Sequence, residues 1–156
     1  MTDSDVVAAV DQAFAAPKPA RFFPNDGDPE SDEHNALLSD RDRTTLLLSD
    51  VDNAGWDPVC ACSAEGFAYY FPALARFTLC DPSYSYYWYA DQLIYLISRN
   101  SGDNRFLLFC SRQQREAVAM LVQHLIETRH DLIASHSQPS DFESCLELWR
   151  SAEHEA

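Results

Sequence analysis

Residues 83–98 read SYSYYWYADQLIYLIS, and on a helical projection apolar side chains occupy nearly every face. A helix with so little polar surface is stable in water only when other elements surround it. The chain must therefore place this segment near its centre and pack further helices around it. Four other segments have the periodicity to do so. In residues 3–16, Val6, Val7, Val10 and Phe14 recur at helical spacing, acids occupy the first turn, and Pro17 and Pro19 end the run. Residues 63–80 open on Ser63, a capping residue, and continue through GFAYYFPALARFTLC. Pro72 lies inside that stretch, where it removes one backbone hydrogen bond and crowds the carbonyl of Ala68, so a kink is expected near Ala68–Pro72. Residues 111–134 begin with Ser111 and Gln114 in the capping-box pattern and carry the stripe Val118, Leu121, Val122, Leu125, Leu132 and Ile133. Ser140 and Glu143 repeat the pattern before Phe142, Leu146 and Trp149.

The expected fold is thus mainly α: an irregular bundle of about five helices with long acidic N-terminal loops and a Pro-kinked helix. The loops are residues 20–33 and 49–62, where Pro, Gly, Asn and Asp supply turn chemistry, with Phe22 and Phe23 pinning the first to the core. Residues 34–48 hold two apolar clusters that fit either a short helix or irregular turns. Residues 105–110, RFLLFC, are short and apolar and fit a buried strand or an extended linker. At 156 residues the chain suits one acidic helical domain, 1–156, large enough to bury a core without a disulfide or metal.

The formal charge of −14 narrows the choice of partner. It repels nucleic acid and membrane phosphates and attracts basic surfaces. Twelve acids and four bases fall between Met1 and Trp56, so the excess is concentrated in the first third. Ten of the eleven cations are Arg, a bias that suits a GC-rich bacterial genome. The start of the chain shows neither the basic nor the apolar region of a secretory signal, and no apolar run is long enough to span a membrane. With five cysteines, an odd number, free thiols in a reducing cytoplasm are the expectation.

Asp-rich loops starting at Asp50 and at Asp26 each fail the EF-hand pattern, with Ala54 and Ala61 at ligand positions in one and Ser31 replacing the glycine in the other. Cys60 and Cys62 are too close together for the usual zinc clip, although His34 and Cys80 could complete a site in space. His124, Glu127 and His130 do not form a zinc-protease motif and fit a solvated polar strip. Cys110 precedes a helix start, where a thiol can become a nucleophile, but it also ends an apolar run that would bury it. No serine elbow or phosphate loop is present, so there is no positive case for acyl transfer or nucleotide hydrolysis. The rings of Tyr84, Tyr86, Tyr87, Trp88 and Tyr89 fit a core-packed helix better than a ligand pocket. No catalytic residue, metal ligand set or cofactor is assigned.

The segments Gly55-Trp56-Asp57-Pro58 and Ser63-Ala64-Glu65-Gly66-Phe67-Ala68-Tyr69-Tyr70-Phe71-Pro72-Ala73-Leu74, with Ser111-Arg112-Gln113-Gln114 later, resemble a group of small uncharacterised bacterial proteins. That group is a domain of unknown function with a Gly-Trp pair and a Ser-x-Glu-x-Phe-x-Tyr-Tyr-x-Pro-Ala stretch. The likeness covers about residues 50 to 130, and Phe71 stands where the group has Leu. It implies a helical domain and carries no activity.

Three functions remain in view. The first is an acidic protein-binding module, inhibitor- or immunity-like, that meets a basic partner through Asp26, Asp28, Glu30, Asp32, Glu33, Asp50 and Asp52. The second is a small enzyme or ligand-binding domain with a pocket near helix 63–80, lined by Trp56, Asp57, Glu65 and Tyr69. The third is a structural or oligomerising domain. In all three, direct nucleic-acid or membrane binding is excluded by charge.

Overall fold

A computed structural model of the chain describes residues 1–23, 27–82 and 84–154. Among these it is helical, in nine α-helical segments and with no named strand. The helical class agrees with the sequence; the number of segments exceeds the five expected.

The first helix, α1 (Asp3–Ala13), opens on a reciprocal cap. The Thr2 hydroxyl accepts from the Asp5 N–H at 3.2 Å, and the Asp5 carboxylate accepts from the Thr2 N–H at 2.7 Å. Helix α2 (Pro29–Asp40) corrects the expectation of a long N-terminal loop. Its first turn, PESDE, looks like loop chemistry because proline and acids dominate it. Proline at a first helical position and acids in the first turn are also what a helix start favours, and His34 and Leu38 on the inner face supply the burial that stabilises it. A single turn, α3 (Leu48–Val51), follows.

Helix α4 (Ala64–Thr78) begins with the Ser63 hydroxyl accepting from the Gly66 N–H at 3.1 Å and runs without interruption through Pro72. Its residues from Gly66 to Ala75 are all buried. Helix α5 (Tyr89–Ser98) starts six residues later than residues 83–98 suggested. Tyr84 and Tyr87 instead bridge across a tight turn, and Trp88 is extended. Aromatic rings lose side-chain freedom in a helix, so a run of tyrosines without a cap favours the extended form. The ring block therefore divides. Trp88 and Tyr89 are core, whereas Tyr84 and Tyr86 stack on each other in solvent with centroids 5.6 Å apart.

Residues 105–110 form neither strand nor extended linker but a short helix, α6 (Arg105–Phe109), capped by Asn104, whose side-chain oxygen accepts from the Phe106 and Leu107 N–H groups. The predicted helix 111–134 is two, α7 (Arg112–Thr128) and α8 (His130–His136), parted at Arg129. The Ser111–Gln114 capping box is present at the start of α7. The last helix, α9 (Pro139–His154), packs on α7 and α5, while α1 packs on α7 and α4. The core they share is strongly aromatic. Phe106 lies within 6 Å, centroid to centroid, of Phe14, Phe67, Phe71 and Trp149. No helix among the described residues is long and apolar enough to cross a membrane.

Candidate functional site

Helix α2 and the 3-10 turn Ala54–Trp56 build the most distinctive surface. The turn is set by Asn53, whose side-chain oxygen accepts from the Gly55 N–H at 3.0 Å. It delivers the Trp56 indole onto the His34 ring of α2, centroid to centroid 4.6 Å. Phe23 lies on His34 at 6.1 Å, so the imidazole is enclosed between two rings and buried. Trp56 itself stays 45% exposed. Glu30, one helical turn before His34, places its carboxylate 3.5 Å from the imidazole. Asp28, Glu30, Asp32 and Glu33 are all exposed around the start of this helix. The Asp28 carboxylate accepts from the Ser31 hydroxyl at 2.7 Å, which orders the helix entry.

The other predicted acids lie elsewhere. Asp26 lies outside the described residues. Asp50 is held inside the fold, accepting from the Arg41 guanidinium at 3.0 Å and from the Leu47 N–H at 2.8 Å, and its side chain is only 11% exposed. Asp52 is half-buried beyond α3, close enough to Tyr87 to help raise that phenol's pKa, chiefly a burial effect.

Trp56, Asp57, Glu65 and Tyr69 point to different places. Asp57, next to the exposed Trp56, is buried. Its two oxygens accept from the Val59 N–H at 3.0 Å and the Gln92 amide at 2.6 Å. Burial pushes its pKa up to about 6, against the lowering effect of those two donors and of the His34 and Arg99 charges. Gln92 also donates to the Val51 carbonyl at 2.8 Å and accepts from the Tyr87 hydroxyl. This chain of bonds ties α5 to the loop carrying Trp56. Glu65 is exposed at the first turn of α4. Tyr69 is buried against Tyr70, with the Arg43 guanidinium 4.5 Å from its ring centre. A cavity of about 320 Å³ does open beside the start of α4, but Ala64 and Phe67 contribute to it and these four residues do not.

One cluster escaped the sequence. His124 is buried rather than on a solvated strip, and its Nε2 lies 2.6 Å from Asp3 Oδ1. Arg129 donates to both oxygens of the same carboxylate, at 2.8 and 2.6 Å. The Arg129 hydrogen bond, with His124 adding to it, holds the Asp3 carboxyl well below the usual carboxylate range. The available signal was His124's place on the α7 stripe, three residues after Leu121. Glu127 and His130 are exposed.

Cys110 is buried, and burial pushes its thiol up, away from nucleophilic use. Among the described residues, no group of three or more His, Cys, Asp or Glu side chains is arranged to hold a metal ion. The chain matches no protein-family profile, no curated protein and no solved structure.

Proposed function

We propose that the chain is an acidic protein-binding module, inhibitor- or immunity-like, whose contact surface is the start of α2 together with Trp56. The observation that carries this is an exposed indole fixed on the buried His34 ring, with the Glu30 carboxylate 3.5 Å from that same imidazole and further exposed acids in the first turns of α2. Tryptophan is enriched among residues that dominate interface energetics, since one rigid ring buries a large area at little entropic cost. Here the ring is positioned before any partner arrives. The exposed carboxylates at the start of α2 make this surface negative, which speeds encounter with a basic surface and disfavours acidic competitors. The same charge disfavours a nucleic-acid backbone or an anionic membrane as the partner.

The test compares wild type, Trp56→Ala and the triple variant Glu30→Gln, Asp32→Asn, Glu33→Gln as baits in a host lysate at low and high salt. A basic protein held by wild type at low salt, and lost in both variants, is the expected result. Partners retained unchanged by the triple variant would exclude the acidic surface.

A self-associating domain is a second possibility, favoured by one feature. Tyr84 and Tyr86 form a stacked pair with Tyr86 83% exposed. Sedimentation of wild type against Tyr84→Ser, Tyr86→Ser separates the two: concentration-dependent dimerisation lost in that variant would move the interface from α2 to the 84–87 turn.

A further inference from the structure

We infer that the cavity between residues 59–64 and the end of α5 binds a small organic acid, with the carboxylate held by Arg99 and Arg105 and a compact apolar body on the cavity floor. The cavity is about 320 Å³, at the small end of ligand pockets and too small for a polymer segment of any length.

Its polar wall is cationic in a chain of net charge −14. Arg99 donates to the Cys60 carbonyl and, at 3.4 Å, to the Cys60 sulfur. Arg105 donates at 3.5 Å to the Cys62 carbonyl. These acceptors are neutral. Among the described residues neither guanidinium has a carboxylate within ion-pair distance; Arg41, Arg76, Arg112 and Arg129 each do, while Arg43, Arg115 and Arg150 bond carbonyl or amide oxygens but line other parts of the surface. The Arg99 charge reaches the buried Asp57 through space, but the two groups make no ion pair. Acids outnumber bases 25 to 11, yet the two charged side chains that line this cavity are both arginines. A guanidinium has five N–H donors in a planar fork, and each of these two spends only one or two on the 60–62 backbone and sulfur.

The turn joining α5 to α6 is built to bring the pair together. Asn100 and Ser101 both adopt left-handed backbone, at φ 64° and 47°. Asparagine accepts left-handed backbone readily and serine less so, so Ser101 in particular is held there by its surroundings. Asn104 holds the turn from the far side. Its amide nitrogen donates to the Leu96 and Arg99 carbonyls, both at 3.0 Å, and its oxygen caps α6. Arg99 and Arg105 therefore lie on opposite ends of one rigid loop and line the same cavity. Phe67, Leu96 and Phe106 supply apolar surface there. A carboxylate matches the forks, and an aromatic or short aliphatic body matches the floor.

The test uses the full chain at fixed ionic strength, with nitrogen-15 NMR following the arginine Nε–H signals. Benzoate is the probe, benzyl alcohol its neutral counterpart, and inorganic phosphate an anion without an apolar body. Benzoate should give saturable shifts at Arg99, Arg105 and the 60–62 backbone, with benzyl alcohol and phosphate at least several-fold weaker. Arg105→Gln should weaken benzoate about tenfold, the loss expected for a charge-assisted hydrogen bond. Arg105 is exposed, so this variant keeps the fold even if Arg99→Gln, which also releases the Cys60 loop, does not. The proposal is overturned by benzyl alcohol or phosphate binding as tightly as benzoate, by unchanged affinity in Arg105→Gln, or by the lack of any saturable shift.

Discussion

The imidazole of His34 lies beneath the indole of Trp56, ring centres 4.6 Å apart and planes inclined at 49°; the imidazole is buried, with Phe23 on it as well, and the indole that covers it remains half-exposed. The two come from segments some twenty residues apart. The indole thus serves as both a cover and a surface. Trp56→Ala should cost about 1–2 kcal/mol in urea unfolding, because only part of the ring is buried. Trp149→Ala, which empties a fully enclosed site, should cost about 3–5 kcal/mol. Equal losses would show that Trp56 is core and would remove it from the proposed contact surface.

Gly66 tests the packing at the start of α4. A Cβ there would lie 2.7 Å from Phe22 Cδ1 and 3.2 Å from the Ser63 hydroxyl that caps the helix. Alanine is the better helix former by about 1 kcal/mol, so propensity alone predicts stabilisation. Phe22 is enclosed in the core and cannot swing away cheaply. Gly66→Ala should therefore lose about 1–3 kcal/mol in thermal or urea unfolding, the cost of overpacking. A gain would mean that the Phe22 ring relaxes freely.

Elements with a local signature were legible in the sequence. Ser63, and Ser111 with Gln114, mark the starts of α4 and α7 because a cap is a contact over three residues. Phe22 and Phe23 do pin the N-terminal segment to the core. Helix α2 was missed from Pro29 to Glu33 because its stability comes from burying His34 and Leu38 against distant residues rather than from apolar periodicity. The site was less legible for the same reason. Asp50 and Glu30 look alike in the sequence, yet Arg41 draws one into the fold and the other remains exposed. Asp3 and His124 are 121 residues apart, and no spacing rule reaches that far.

Asp57 should give the protein a distinct pH response. Its folded pKa of about 6 lies above the unfolded value of about 4, so between those two pH values the folded state holds a proton that the unfolded state has released. Stability therefore falls as pH rises from about 4 through about 6 and then levels off. The full change is on the order of 3 kcal/mol for a shift of this size. Asp57→Asn removes the titration, so the stability difference, wild type minus variant, should decline across that window. Urea unfolding at several pH values checks it. A difference independent of pH would mean that the carboxylate is solvated or already charged in the fold.

The Asp3 clasp responds in the opposite sense. Arg129 and His124 depress its folded pKa, so its contribution is complete above the unfolded value of about 4 and fades as pH falls below it. The carboxylate is 46% exposed, and solvent screening holds the effect of Asp3→Asn to about 1–2 kcal/mol at neutral pH. Because the Asp3 carboxylate fastens the start of α1 to His124 of α7 and to Arg129, the loss should appear first as faster amide exchange in residues 3–13. Uniform acceleration along the whole chain would show that α1 unfolds only with the core.

The five thiols rank themselves by environment. Cys80 is exposed and Cys60 half-buried at the cavity wall, while Cys62, Cys110 and Cys145 are buried. Burial raises the last three, Cys145 to about 12, so almost none of their thiolate exists at neutral pH. A short treatment of the native protein with iodoacetamide should give two adducts, at Cys80 and then Cys60, by mass spectrometry, and five after unfolding. Slow loss of protection at the other three would track opening of the core. Rapid labelling of Cys110 in the folded protein would contradict both its burial and its raised pKa. It would restore that thiol, at the entrance to α7, as a candidate nucleophile.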